Sequence, residues 1–234
     1  MSTTPAVIAI DGPAASGKST VGKKVAQKLG FLLFDTGALY RAVTLAALQR
    51  GVPIDDEARV SELARAIRID LLPADHNDGR PYTVLMDGRD VTWDIRSEAV
   101  DAHVSTVSAY PGVRTALKQQ QRRIARRGGV VIAGRDIGTV VFPEAPLKVY
   151  LDASPQVRAQ RRCQELQARG EPADYDEILA GVRHRDRVDS TRATAPLRIA
   201  DDAVIIDTDH LSIGQVVDEI VRLARQRHLV KQNA

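Results

Sequence analysis

Apolar residues in this chain form two kinds of pattern, short continuous runs and helically spaced sets. The continuous runs, each of strand length, lie at residues 6–11, 31–34, 130–133, 147–151 and 204–206. The helically spaced sets lie at residues 20–29, 38–50, 57–66, 97–107, 111–127, 154–169, 174–189 and 212–226. Strands that alternate with helices are typical of a parallel sheet covered by helices on both faces, so the pattern predicts an α/β fold.

The apolar period changes in residues 67–93. Ile67, Ile69 and Leu71 alternate with polar residues, which indicates a half-exposed strand. A polar turn at 75–81 leads to a second strand at 82–86, and Asp87-Gly88 is a hairpin signal before a third at 90–93. This meander interrupts the alternating pattern and predicts an inserted antiparallel subdomain, with Trp93 in its core.

The residues between the first strand and the first helix match the phosphate-binding pattern G-x-x-x-x-G-K-[ST]. They are Gly12, Pro13, Ala14, Ala15, Ser16, Gly17, Lys18 and Ser19, with Thr20 following. Such a loop turns its backbone N–H groups toward the phosphates of a nucleotide, here expected to be ATP. Lys18 is expected to reach the outer phosphates, and the Ser19 hydroxyl to be a ligand of Mg²⁺.

Polar residues follow several of the predicted strands, where ligands bind in open α/β sheets. Asp35 and Thr36 follow the second strand, and Arg135 and Asp136 follow the strand at 130–133. Asp35 alone is open to two interpretations, because a carboxylate there also caps a following helix. The polar clusters predict the rim of an active site.

Arginines are numerous near this rim, at Arg41, Arg135, Arg185 and Arg192. An acceptor hydroxyl needs a base, whereas a phosphate monoester, with a second pKa near 6, needs cations instead. The excess of arginine therefore favours a nucleotide acceptor over a neutral small molecule.

A second arginine group lies on the predicted helix at 154–169. Arg158, Arg161 and Arg162 stand at i, i+3 and i+4 and are expected to share one helix face. With Arg185, Asp189 and Arg192 beyond the turn at 170–172, they predict a lid that closes over phosphates. The alternative is a solvated arginine face.

Composition limits the other classes of protein. The apolar runs are shorter than the roughly 18 residues of a membrane span, and the N-terminus lacks the features of a secretory signal, so a cytosolic location is expected.

The one cysteine, Cys163, is expected to be an inert thiol near the interior, and the histidines lack metal-ligand spacing. The net charge of +3 suits an anionic ligand. The few, scattered aromatic residues argue against nucleic-acid binding. The absence of an N-K-x-D motif argues against a GTPase. Nothing demands more than a monomer.

Longer motifs carry a resemblance to a known family. They are Asp35-Thr36-Gly37-Ala38-Leu39-Tyr40-Arg41; Gly134-Arg135-Asp136-Ile137-Gly138-Thr139-Val140-Val141-Phe142-Pro143; Lys148-Val149-Tyr150-Leu151-Asp152-Ala153-Ser154; Arg185-Asp186; and Asp189-Ser190-Thr191-Arg192-Ala193. In this order, after the P-loop, they make nearly the whole chain resemble bacterial-type cytidylate kinases.

The resemblance implies a P-loop nucleoside-monophosphate kinase fold in one domain. Its core, a five-stranded parallel sheet flanked by helices, comprises residues 1–66 and 97–234. The helical lid lies near residues 158–190, and the antiparallel insert at 67–96 binds the monophosphate. The implied reaction is γ-phosphoryl transfer from ATP to CMP or dCMP, with Mg²⁺. Another P-loop kinase, acting on UMP or a related monophosphate, is the alternative.

The resemblance also implies roles for single residues. Ser105, Arg114 and Asp136 contact the cytosine, and Asp136 accepts from its amino group, where uracil presents an acceptor instead. Arg41, Arg135 and Arg192 hold the acceptor phosphate, and Arg185 and Asp189 lie at the sugar and phosphates. Tyr40 packs beside the acceptor nucleotide, with Thr36 in the same motif. Lys18 and the lid arginines Arg158, Arg161 and Arg162 stabilise the transferred group.

Overall fold

The computed structural model describes residues 5–74, 76–168, 170–192 and 194–230. In chain order its strands are β1 (Val7–Asp11), β2 (Leu32–Asp35), β3 (Ile69–Leu72), β4 (Thr83–Met86), β5 (Arg89–Asp90), β6 (Val130–Gly134), β7 (Leu147–Asp152) and β8 (Val204–Asp207). The α-helices are α1 (Lys18–Leu29), α2 (Gly37–Gln49), α3 (Glu57–Ala66), α4 (Glu98–Ala109), α5 (Pro111–Ala125), α6 (Pro155–Ala168), α7 (Tyr175–Thr191) and α8 (Ile213–Gln226). Within the described ranges, no helix combines the length and apolar character needed to cross a bilayer.

Four predictions include residues outside these ranges. They are the turn beginning at Asp75, the helix end at Arg169, the motif residue Ala193 and the core bounds, which extend over residues 1–4 and 231–234. Elsewhere the predicted strands and helices are found within a few residues of their expected bounds.

Five of the strands form a parallel sheet in the order β2-β6-β1-β7-β8, which confirms the predicted core. The central strand β1 is buried along its whole length, as expected for a parallel strand covered on both faces. Helix α1 packs on β1, β2 and β6 and against α8, while α2 to α5 pack on one another. The register aligns the carboxyl ends of β1, β2 and β6, so Asp11, Asp35 and Gly134 lie at one edge.

A π-helical turn at Ile137–Val141 follows β6 and is not predicted by the sequence pattern. Its apolar residues resemble a strand, but the amide of Phe142 donates to the carbonyl of Ile137, 2.7 Å away. Such turns are rare and often occur at functional sites. Here the turn begins directly after Asp136.

Residues 67–96 form the predicted antiparallel subdomain, with strand order β3-β4-β5. Asp87 and Gly88 have positive φ values of 51° and 83°, as a two-residue hairpin turn requires. The prediction that Trp93 fills its core is wrong, because Trp93 is 47% exposed and its ring nitrogen donates to Asp78. A 3₁₀ turn at Asp94–Arg96 ends the strand alternation and leaves Trp93 outside.

Helices α6 and α7 pack on each other as a hairpin. Ala159, Cys163 and Val182 are buried between or beneath these helices, yet they do not belong to the main hydrophobic cluster. The position of Cys163 agrees with its expected burial. The separate packing of this hairpin is what a movable lid requires, although the lid itself stays a prediction.

Candidate active site

A cleft of about 910 Å³ opens at the carboxyl edge of the parallel sheet. We call its first part the P-loop end, comprising the loop at residues 12–20, of which residues 15–20 line the cleft, and Asp35. We call its second part the arginine end. The arginine end comprises Tyr40, Arg41, Arg114, Arg135, Asp136, Arg185, Asp189 and Arg192, all of which line the cleft. The fold thus brings together residues from α2, α5, α7 and the loop after β6.

The P-loop end forms where β1 turns into α1, which confirms the strand–loop–helix context predicted for it. Gly12 has φ +153°, and a Cβ atom there would lie 2.3 Å from the carbonyl oxygen of Leu151, so only glycine fits. Gly17, with φ +87°, is the N-cap of α1. The residues from Ala15 to Thr20 line the cleft, whereas Gly12, Pro13 and Ala14 are not among its lining residues.

Lys18 is buried in this loop and has only neutral partners. Its Nζ donates to the Pro13 carbonyl, 2.5 Å away, and to the Ser16 hydroxyl, 3.2 Å away. Among the described residues, none provides a carboxylate that pairs with it. Burial lowers the pKa of Lys18 well below its ordinary value, and the charge of Arg135 adds to this effect. A bound anion would supply the missing negative charge.

Ser19 and Asp35 form an oxygen pair beside Lys18. The Ser19 hydroxyl donates to Asp35 Oδ2 over 2.7 Å, and Asp35 Oδ1 accepts from the amide of Gly37 over 3.0 Å. Asp35 therefore fits both interpretations that the sequence left open, since it accepts from the first amide of α2 and also lines the cleft. Hydroxyl and carboxylate oxygens fit a divalent cation that takes its other ligands from phosphate and water.

Arg114 and Asp136 form a buried ion pair at the arginine end, with 2.7 Å between Nη2 and Oδ2. The Arg114 guanidinium lies 5.6 Å from the ring centroid of Tyr40. Arg114 Nε is buried and has no hydrogen-bond partner in the described part of the chain. Because a carboxylate oxygen, unused N–H groups and an aromatic face occur together, this corner can recognise the edge and face of a base.

Ser105, predicted beside the base, is exposed on α4 and does not line the cleft, whereas Ser108, one turn later, does. The Ser108 carbonyl accepts from Arg114 Nη1 over 3.2 Å. The assignment of Ser105 to the base stays a prediction.

Arg135 and Arg192 share the carboxylate of Asp189. Arg135 Nε lies 2.9 Å from one oxygen and Arg192 Nη1 lies 3.2 Å from the other. Arg192 Nη2 is buried without a hydrogen bond among the described residues, 3.7 Å from Asp136 Oδ1. Burial, and then the charge of Arg114, lower the pKa of Arg192. Positive charge is thus in excess here, as an anion-binding site requires.

Arg41, Arg185 and the nearby Thr36 differ in the contacts that they make. Arg41 pairs with Asp101 of α4 and donates to the Ile95 carbonyl over 3.1 Å. Arg185 lines the cleft near them. Thr36 also lines the cleft, and its hydroxyl donates to the Ala133 carbonyl over 3.0 Å, which joins the ends of β2 and β6.

The three lid arginines lie at i, i+3 and i+4 of α6, as predicted, yet their side chains turn toward different partners. Arg161 and Arg162 line the cleft, where Arg161 donates to Thr208 and Arg162 pairs with Glu165. Arg158 is not among the lining residues, because its guanidinium is turned toward backbone carbonyls and Asp186. Residues at i, i+3 and i+4 have their Cα atoms on one side of a helix, but each long side chain turns toward its own hydrogen-bond partner.

Asp11 is a structural residue of the site whose role the sequence did not reveal. Its buried carboxylate accepts from the amides of Ile137, over 2.8 Å, and Gly138, over 2.7 Å. Burial raises the pKa of Asp11 to about 6, although these two hydrogen bonds oppose the rise. Asp11 thereby ties the turn after Asp136 to the strand before the P-loop. The only sequence signal was a carboxylate at the end of an apolar strand.

Known proteins resemble this chain over nearly its whole length. The family model described as cytidylate kinase matches residues 8–226. A cytidylate kinase of Herpetosiphon aurantiacus is 49% identical over 221 residues, covering 94% of this chain and 95% of that protein. A cytidylate kinase of Limosilactobacillus fermentum is 50% identical, covering 91% and 92% of the two chains.

Longer relatives also match. A bifunctional pantoate ligase/cytidylate kinase of Synechococcus sp. is 52% identical over 220 residues, and the match covers 94% of this chain. This chain spans 41% of the length of that relative. Since the family model and these two cytidylate kinases each match more than nine-tenths of this chain, the chain belongs to the cytidylate kinase family.

Proposed function

We propose that this protein transfers the γ-phosphoryl group of ATP to CMP or dCMP and releases ADP and CDP or dCDP. The observation that carries the proposal is a cleft that joins a P-loop at one end to the Arg114–Asp136 pair at the other. Family membership supports the same reaction. ATP would occupy the P-loop end, and the monophosphate would occupy the arginine end.

The transfer would depend on positioning and on electrostatic stabilisation. Two anionic nucleotides repel each other, and Lys18, Arg135 and Arg192 offset that repulsion where the phosphates meet. The attacking phosphate oxygen is already ionised near neutral pH, so no side chain has to act as a strong base. Lys18 would hold charge on the oxygens of the transferred group as it passes in line between the nucleotides.

The cation that we propose for this reaction is Mg²⁺. When bound, it would neutralise charge on the phosphates of ATP. Ser19 would be its protein ligand, and Asp35, which holds the Ser19 hydroxyl at 2.7 Å, would orient that ligand.

Selection of cytosine would come from Asp136 and Arg114. A carboxylate accepts from the N4 amino group of cytosine, while an arginine donates to its acceptor atoms. Uracil would place an oxygen against Asp136 and would not supply the hydrogen bond that the cytosine amino group donates, which costs about 1–3 kcal/mol. The unpartnered N–H of Arg114 supports this assignment.

Two structural units are proposed to move during this reaction. The insert at 67–96 would close on the monophosphate, and the α6–α7 hairpin would close as the lid over the phosphates and exclude water. Arg161 and Arg162, which already line the cleft, are the lid residues that we assign to the transferred phosphate. A monomeric state and a cytosolic location are kept as predictions.

An acceptor panel tests the proposal. ADP release is measured with ATP, Mg²⁺ and, in turn, CMP, dCMP, UMP and AMP. We expect CMP and dCMP to be far better acceptors than AMP, and UMP to be weaker by at least tenfold. Faster ADP release with UMP than with CMP would support the alternative kinase. The absence of ADP release with every pyrimidine monophosphate would contradict both hypotheses.

A further inference from the structure

The Arg158 guanidinium is held outside the cleft by protein atoms. Nε donates to the Ala153 carbonyl over 2.9 Å, and Nη1 donates to the Ala14 carbonyl over 3.1 Å. Nη1 and Nη2 also form a two-oxygen ion pair with Asp186, at 2.9 and 2.5 Å. Four of the five N–H donors of an arginine are thus engaged, and Arg158 is 2% exposed. Only one N–H group of Arg158 is therefore left to donate to a phosphate.

The contact with Ala14 determines the direction of a P-loop amide. The carbonyl of Ala14 and the N–H of Ala15 belong to one trans peptide unit, in which they point in opposite directions. Since the carbonyl points to Arg158, the Ala15 N–H points the other way, and Ala15 lines the cleft. Ala15 has φ +59°, a conformation that alanine rarely adopts, so the loop needs an external contact to keep it.

The contact with Asp186 connects that peptide to the far end of the cleft. Asp186 lies on α7, the helix that also carries Arg185 and Asp189. Asp189 holds Arg135 and Arg192. A displacement of α7 caused by a ligand at the arginine end therefore acts on Arg158, and through it on the Ala14–Ala15 peptide.

We propose that Arg158 and Asp186 form a clamp that aims the Ala15 amide at the ATP phosphates and couples ATP binding to binding of the monophosphate. Arg158 is then a positioning residue and not one that touches the transferred group. The coupling rests on the proposed function, because that function identifies the two ligands. The direction of the Ala15 N–H, in contrast, affects only the binding of ATP.

The variants Arg158→Lys and Asp186→Asn test the clamp. Lysine keeps the charge but cannot make the forked contact, and asparagine keeps the shape of Asp186 without its charge. We expect each variant to bind ATP about tenfold more weakly by titration calorimetry, the effect of one hydrogen bond to a charged group. CMP affinity measured alone should stay within twofold. Asp202→Asn, which breaks the two-oxygen pair with Lys148 far from the clamp, is the matched control and should leave ATP affinity unchanged.

Coupling is measured as the ratio of CMP dissociation constants without and with a non-hydrolysable ATP analogue. The wild-type ratio should exceed one and should fall toward one in both variants. The double variant should bind ATP no more weakly than either single variant, because the two residues act as one unit. If Arg158→Lys does not melt cooperatively, Asp186→Asn, whose side chain is partly exposed, carries the test.

The possible failures are distinguishable. Wild-type ATP affinity in both variants would overturn the clamp even if CMP is phosphorylated. A wild-type coupling ratio of one would overturn the coupling. A protein that binds ATP but phosphorylates no CMP would overturn the proposed function, while the ATP affinities of the variants would still decide whether Arg158 aims the amide.

Discussion

The two ends of the cleft hold their cations in different ways. At the P-loop end, Lys18 is buried against neutral oxygens of its own loop. At the arginine end, carboxylates from other elements hold the cations: Asp136 holds Arg114, Asp189 holds Arg135 and Arg192, and Asp101 holds Arg41.

This difference has a physical reason. A P-loop is one local stretch whose backbone places its own amides, so a single cation and a helix N-terminus suffice for a phosphate chain of any nucleotide. Several long arginine side chains, in contrast, repel one another and have many rotamers, and they need carboxylates to hold them in position. The geometry of the P-loop end is therefore set locally, whereas the geometry of the arginine end depends on the assembled fold.

Removal of Lys18 should have the largest effect. We expect Lys18→Ala to lower kcat by at least about 10³-fold, because it removes charge that stabilises the transferred group. The thermal midpoint should stay the same or rise, since burial already disfavours the charged amine. A coupled ADP-release assay and thermal melting measure the two effects. Lys24→Ala, at an exposed position of the same helix, is the control, and near-normal turnover of a folded Lys18→Ala protein would contradict the role of Lys18.

Asp11, which joins the two ends, should make stability depend on pH. Its pKa is raised from 3.8 to about 6, so the folded protein binds a proton that the unfolded chain releases. The contribution of Asp11 is therefore most favourable below pH 4 and is lost as the pH rises through 6. A shift of about two pKa units corresponds to about 3 kcal/mol.

Urea unfolding of the wild type and of Asp11→Asn between pH 4 and 7 measures this difference. The wild type should lose stability relative to the variant by that amount as the pH rises. Asp202→Asn should show no such difference, because the pKa of Asp202 is lowered and its titration lies below this range. Parallel wild-type and Asp11→Asn curves would show that Asp11 does not titrate here.

Asp136→Ala should affect the two ends unequally. We expect CMP affinity to fall about 100-fold and ATP affinity to change less than threefold, because cytosine loses its acceptor and the buried Arg114 loses its partner. Titration calorimetry with each nucleotide measures both values. Asp136→Asn, whose amide can donate to uracil, should narrow the preference for CMP over UMP. Equal losses for ATP and CMP would reject base recognition by Asp136.

The smallest effect is expected at Asp101. We expect this carboxylate to compete with the acceptor phosphate for Arg41, because the two side chains form a partly exposed ion pair. Exposed ion pairs contribute about 0–1 kcal/mol, so Asp101→Asn should raise CMP affinity by no more than about fivefold. Asp218→Asn, which breaks an exposed pair with Lys28, should not change it. A fall in CMP affinity would mean that Asp101 positions Arg41 instead of competing for it.

Local sequence patterns predicted much of this molecule. The P-loop, the five parallel strands, the insert and the helical hairpin all occur within a few residues of their predicted positions. Each depends on short-range features: apolar period, a glycine where φ is positive, or a two-residue hairpin turn. Polar residues at strand ends and the numerous arginines predicted the rim of the site, and the family resemblance assigned single residues to the acceptor nucleotide. Except for Ser105, all of those assigned residues line one cleft.

Side-chain directions were not predictable in the same way. Trp93 was expected inside and lies outside, and Arg158 was expected beside Arg161 but faces Ala14 and Asp186. The apolar pattern did not predict the π-helical turn after Asp136, and the position of Asp11 at a strand end did not reveal which amides it would bind.

The sequence by itself determined where a phosphate chain can bind, because the residues of the P-loop are neighbours and their backbone geometry follows from their identities. Only the tertiary structure decided which carboxylate meets which arginine. Those partners are separated by 22 residues for Arg114 and Asp136, and by 54 for Arg135 and Asp189. Their pairing depends on how helices and strands are packed, and a long charged side chain turns toward whichever buried partner that packing provides.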